Sequence, residues 1–205
     1  MKKTALVCAA AALLSACGGG GGDSGNPNGP GFQAPSNRLA GYVGNWASAC
    51  SNHEIENVTI TSPASDTLTI ATRTDYYAGA NCSGAIVAVE TEGGDITARY
   101  IDTVDAPIVF TQGTAATTGR VDRISASAPI RSRSITGTGV RRDVINGRQH
   151  WCIDFGGGSQ TCVQDEGATP AQTGVAGGLH LQGTTMYELV LEGAVYTAYG
   201  RYQKR

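Results

Sequence analysis

Six cysteines, three histidines and a few short clusters of charged side chains are where this chain of 205 residues could carry chemistry. Cys50, Cys82, Cys152 and Cys162 form an even set. Thiols do three kinds of work: they ligate metals, shuttle electrons or cross-link the fold. No C-x-x-C pair occurs, and His53, His150 and His180 show no ligand spacing relative to the cysteines. Neither a metal centre nor a dithiol redox site is expected, and no cofactor is expected. Cross-linking is left. The run Cys152-Ile153-Asp154-Phe155-Gly156-Gly157-Gly158-Ser159-Gln160-Thr161-Cys162 reads as a strand, a glycine turn and a returning strand, which brings its two cysteines together. Cys50 then pairs with Cys82. Acid–base chemistry has two weak candidates. His53-Glu54 reads as part of a solvated loop, and His150, beside Trp151, as a strand residue alternating outward. The serines lack the G-x-S-x-G elbow of a nucleophile. No enzyme is expected. Arg131-Ser132-Arg133 and Arg141-Arg142 suit either an anionic surface or an exposed strand edge, where charge deters aggregation.

The N-terminus has a different chemistry. Lys2 and Lys3 precede an apolar stretch from Ala5 to Leu14, the length of a signal h-region and half of what a bilayer span needs. Leu14-Ser15-Ala16-Cys17 follows and resembles the bacterial lipobox, in which small residues precede the cut and the cysteine carries the lipid. The resemblance implies that residues 1–16 are removed and that Cys17 is acylated, palmitate included. Gly18 to Gly22 and the Asn/Pro/Gly-rich run behind them bury nothing, so residues 17–35 read as a tether. In such lipoproteins an aspartate directly after the cysteine favours the inner membrane. Here the neighbour is Gly18, which implies the outer membrane, with the domain in the periplasm or at the cell surface.

Those residues need a scaffold, and 36–205 has the length of one domain with a core of its own. Net charge is −2, falling to −4 once Lys2 and Lys3 are gone, with both signs interspersed. Nucleic acid is not an expected partner. Period-two alternation marks Val58-Thr59-Ile60-Thr61, Leu68-Thr69-Ile70-Ala71-Thr72, Leu179-His180-Leu181-Gln182 and Val195-Tyr196-Thr197-Ala198-Tyr199 as strands with one wet face. Turn signals separate such segments: Ser62-Pro63-Ala64-Ser65-Asp66, Glu92-Gly93-Gly94-Asp95, Asn146-Gly147 and Gly156-Gly157-Gly158-Ser159. The pattern predicts an all-β antiparallel barrel or sandwich built mainly from hairpins. Only Ser36 to Val43, capped by Ser36 or Asn37, suggests a helical turn.

That turn leads into Leu39-Ala40-Gly41-Tyr42-Val43-Gly44-Asn45-Trp46, which resembles the opening of lipocalin-like domains. There a short helical turn runs into a Gly-x-Trp on the first strand of an up-and-down barrel. The resemblance implies that Trp46 plugs the closed end, against an arginine of the last strand such as Arg201 or Arg205. Tyr76-Tyr77 ahead of Cys82-Ser83-Gly84 is similar to small bacterial lipocalin-like lipoproteins, which match an early cysteine with one after a Tyr-rich hairpin. A small apolar ligand in the lumen would then meet Ile60, Ile70, Val87, Leu181, Leu189 and Tyr199. An eight-stranded barrel can equally be filled by its own side chains. In that case the protein, an assembly factor or a hydrolase inhibitor, would act through its loops and the Cys152–Cys162 hairpin.

Overall fold

The structure, a computed structural model, describes residues 38–205. The signal 1–16, the tether 17–35 with Cys17, and the caps Ser36 and Asn37 lie outside the described residues. The anticipated helical turn is one 3-10 turn, Ala40–Tyr42. Fourteen strands follow: β1 (Gly44–Ser48), β2 (Glu54–Ala64), β3 (Thr67–Tyr77), β4 (Ile86–Glu92), β5 (Ile96–Val109), β6 (Thr117–Ala128), β7 (Arg131–Thr136), β8 (Val140–Ile145), β9 (Arg148–Gly156), β10 (Ser159–Gln164), β11 (Ala168–Thr169), β12 (Gln172–Gln182), β13 (Thr185–Glu192) and β14 (Val195–Lys204).

Eight of them close into a ring in the order β1-β2-β3-β5-β6-β12-β13-β14, sealed by β14 against β1. Every neighbouring pair around this ring is antiparallel. The alternation read from sequence fixes which face is inside: Val58 and Ile60, Leu68 and Ile70, and Leu179 with Met186 are all buried in one core. Between Thr61 and Ala64 the register shifts, so Ser62-Pro63 is a bulge in β2 and only Ser65-Asp66 turns. Proline suits a bulge because it has no N–H to give to the ladder.

The other six strands leave the ring, which sequence reading did not anticipate. β3 is shared: Thr67 to Ile70 pair with β5, while Arg73 to Tyr77 pair with β4. β4 continues into β7 and β11. Against this extension packs a separate sheet, β10-β9-β8, through Trp151, Ile153 and Val163 on Tyr76, Ala88 and Ile135. We call these strands the accessory lobe. Its β8–β9 turn is Asn146-Gly147, both left-handed (φ 52° and 77°), as a two-residue type I′ hairpin requires. Gly137 enters the lobe at φ 147°, where a Cβ would lie 2.3 Å from the Val87 carbonyl. No side chain fits that crossing.

A second closure uses the opposite face of the shared strands. The end of β5 pairs in parallel with β14, Ile108 beside Tyr196. It covers Val121, Tyr187 and Leu189, which alternate with the ring-facing Asp122, Met186 and Glu188. The two faces of β6, β13 and β14 therefore serve two cores.

Candidate functional site

The ring interior is occupied. Leu39 and Tyr42 of the 3-10 turn enter it and pack with Trp46, Val58, Ile60, Leu68, Ile70, Leu179, Met186 and Tyr202, all under 8% exposed. The six residues proposed to line a lumen do not converge. Ile60, Ile70 and Leu181 belong to this packed core, Val87 to the lobe and Leu189 to the second closure, while Tyr199 is 51% exposed. Val87 lies on β4, outside the ring, Leu189 is out of phase with the inward Met186 and Glu188, and Tyr199 is the residue left unpaired by a bulge in β14 opposite Glu188 and Leu189.

Gly44 opens β1, as expected, and Trp46 is buried at 1% exposure. Its indole N–H donates to the Tyr42 carbonyl at 2.7 Å, tying the 3-10 turn to the first strand. The cation over its ring is neither Arg201 nor Arg205 but Lys204, 5.1 Å from the centroid. Arg201 points to the other face of β14, over Tyr187. Lys204 is the register partner of Trp46, and directly opposed residues share a face.

Two polar groups sit among this apolar packing. Asp122, 8% exposed, accepts from Tyr42 Oη (2.7 Å) and Thr103 Oγ1 (2.6 Å), and Thr103 is bonded to Tyr100, which accepts from Arg38. Burial, and then Asp122, push the Tyr42 hydroxyl far above the usual tyrosine range. This network holds the plug in the ring and offers no open position for a reacting group. Toward the lobe, Tyr202 Oη lies 3.1 Å from Glu56 Oε2 and 3.5 Å from Glu188 Oε2. Burial raises both carboxyls, with the other carboxylate adding to the effect on Glu188, whose pKa is pushed up to about 7.

That carboxyl makes stability depend on pH. Between its ordinary value near 4.5 and about 7, the folded state keeps a proton that the unfolded state has released, so stability falls as pH rises through this window. The loss is of order 3 kcal/mol. Asp102 and Asp165 act oppositely, held down by hydrogen bonds from Arg123 and Arg142, but their window lies below 3.8. Glu188→Gln is expected to raise the melting temperature by several degrees at pH 8 and to leave it unchanged at pH 4.5. A Glu188→Gln melting curve that tracks the parent at every pH overturns this assignment.

The lobe gathers the cysteine and arginine features. Cys50–Cys82 and Cys152–Cys162 are both disulfides, as the spacing predicted. His53 is not in a solvated loop: it is 7% exposed, stacks on Phe155 of β9 at 3.9 Å and places Nδ1 2.8 Å from the Tyr77 carbonyl. It docks the ring to the lobe. His150 lies outward next to buried Trp151, as expected. Arg131 and Arg133 form no basic patch, because Glu92 (2.5 Å) and Glu90 (2.9 Å) neutralise them. Arg141 and Arg142 do lie on an edge strand, β8. Arg142 covers the Trp151 ring at 4.0 Å and meets Asp165 at 2.6 Å. Beyond them the hairpin tip Gly156-Gly157-Gly158 stands in open space.

Glu56, Glu188 and Asp122 were not singled out in the sequence. Their signal was phase: Glu56 is two residues before Val58, Glu188 two after Met186, and Asp122 two before Ile124, each in step with an inward apolar residue. Among the described residues no cluster of His, Cys, Asp and Glu is arranged to hold a metal, and no helix is long and apolar enough to cross a membrane. Comparison with protein-family models, with curated proteins and with solved structures finds no match to this chain.

Proposed function

We propose that the chain is an outer-membrane lipoprotein anchored through Cys17, that its ring is a lipocalin-like barrel filled by its own side chains, and that it meets a protein partner through the accessory lobe. The lipobox-like Leu14-Ser15-Ala16-Cys17 supports the anchor. Gly44-Asn45-Trp46 at the head of an eight-stranded ring in simple antiparallel succession supports the barrel. The observation that carries the mode of action is the occupied interior: an apolar ligand would have to displace Leu39 and Tyr42, both at or below 2% exposure. Function then moves to the surface. The clamped β9–β10 hairpin is preorganised, so less ordering entropy is lost when it binds.

The test is photo-crosslinking in the producing cells, with the reactive residue at Gln160 of the hairpin or, as a control, at Thr69 on the ring. One discrete protein adduct from Gln160 in the membrane fraction, absent from Thr69 and lost from the membrane with Cys17→Ser, is the expected result. A mass of a few hundred daltons that leaves the purified protein on unfolding would instead restore a ligand to the lumen.

A further inference from the structure

A polar cleft of about 300 Å³ lies on the outer face of β1, β2 and β3, on the ring and not on the lobe hairpin. We propose that it is a binding site for a sugar acid: a single hydroxylated ring bearing a carboxylate. This goes beyond the protein-recognition reading and stands on different residues.

The cleft is donor-rich. Asn45 and Thr59 are register partners on β1 and β2, and Thr59 Oγ1 donates to Asn45 Oδ1 at 3.1 Å. That bond turns the two N–H groups of the Asn45 amide outward. Asn57 and Arg73 are likewise partners, on β2 and β3. Behind them Asp75 is buried, 8% exposed, with both oxygens taken: Arg73 Nε donates to Oδ1 at 2.7 Å and Asn57 Nδ2 to Oδ2 at 3.0 Å. Asp75 thus works as an orienting group. It takes up the Arg73 fork through both Nε and Nη2, each 2.7 Å from Oδ1, and since the Asn57 NH₂ faces the carboxylate, Asn57 Oδ1 faces away from it as an acceptor.

Arg205 completes the wall. Its backbone N–H donates to the Asn45 carbonyl at 2.9 Å, and its guanidinium makes no ion pair among the described residues. Among the side chains lining the cleft the one carboxylate, Asp75, is saturated and already neutralises Arg73, so the uncompensated donors are the Arg205 guanidinium and the Asn45 amide. A planar fork of that kind recognises a carboxylate. Asn57 Oδ1 and Thr59 Oγ1 supply the acceptors that sugar hydroxyls need. At about 300 Å³ the cleft has the volume at which small-ligand sites begin, enough for one ring and not for a chain.

Ligand-observed NMR on the full chain tests this with D-glucuronate, D-glucose and acetate as probes. Saturable binding of glucuronate is expected, at least about tenfold tighter than either glucose or acetate, and about tenfold weaker in Asn45→Ala and in Arg205→Ala. Both substituted side chains are exposed, so unchanged melting curves will show that the fold is intact. Equal binding of glucose discards the carboxylate, equal binding of acetate discards the hydroxyls, and no glucuronate binding, or binding that both variants retain, overturns the site.

Discussion

Trp46→Ala should lower the stability of the folded domain by about 3–5 kcal/mol, a large part of what a single domain has. Three losses combine. The indole is 1% exposed at the centre of the ring core, so its removal leaves a cavity that the strand ladder on both sides prevents from collapsing. The Tyr42 carbonyl loses the N–H that satisfies it at 2.7 Å, and an orphaned buried acceptor costs about 1–3 kcal/mol. Lys204, which also donates to the Gly41 carbonyl, loses the ring it covers. Trp46→Phe separates these losses, since it keeps most of the volume and gives up the hydrogen bond. It should fall between the parent and Trp46→Ala in urea unfolding. A Trp46→Ala midpoint equal to the parent's would remove Trp46 from the core.

How far the sequence reaches is visible in β3. Its alternation marked Leu68 and Ile70 as inward residues, and they are. The same alternation runs on to Tyr76, but there the strand has changed partner, and Tyr76 belongs to the lobe core with Trp151 and Ile153. Period two tells which face is buried and says nothing about which strand lies alongside, so the hairpin-coded Cys152–Cys162 bridge was legible, with Cys50–Cys82 as the remaining pair, while the pairing of β3 with β5 was not. Pairing of β3 with β5 skips over β4, and no local turn chemistry encodes a skip. The expectation built on Gly44-Asn45-Trp46 put a buried tryptophan on the first strand, where it is, but misassigned its cation, because the in-register partner of Trp46 is Lys204 and not an arginine. For the candidate site the limit was chemical type. His53 has a left-handed backbone (φ 76°) in a stretch that reads as loop, yet its ring is the contact between ring and lobe. The polar cleft draws its residues from three paired strands and the C-terminal Arg205, and that juxtaposition depends on register that linear sequence does not carry.

Removing Cys50–Cys82 should cost more than removing Cys152–Cys162, and the order follows from two independent arguments. By chain entropy, a bridge across 32 residues restricts the unfolded chain by about 3.7 kcal/mol and one across 10 residues by about 2.7 kcal/mol. Locally, the first bridge holds a corner in which Asn52, His53 and Cys82 all have positive φ, a conformation that costs such residues of order 1 kcal/mol or more apiece. Two backbone bonds tie its two sides together, His53 N–H to the Ala80 carbonyl and Tyr77 N–H to the His53 carbonyl, while the Ser51–Glu54 pair and Cys82 N–H to the Gly79 carbonyl close the turn on each side. Without the bridge the corner can relax, and the His53–Phe155 stack that joins ring to lobe goes with it. The second bridge spans strands that five further residue pairs and a glycine turn already hold in register, so its loss is confined to the unfolded-state term. Urea unfolding of the Cys50→Ala/Cys82→Ala and Cys152→Ala/Cys162→Ala proteins should therefore show midpoints in that order, with hydrogen exchange of β8 to β10 accelerated chiefly in the first. If the Cys152→Ala/Cys162→Ala protein is the less stable of the two, the corner does not carry the junction, and the lobe depends on its own hairpin.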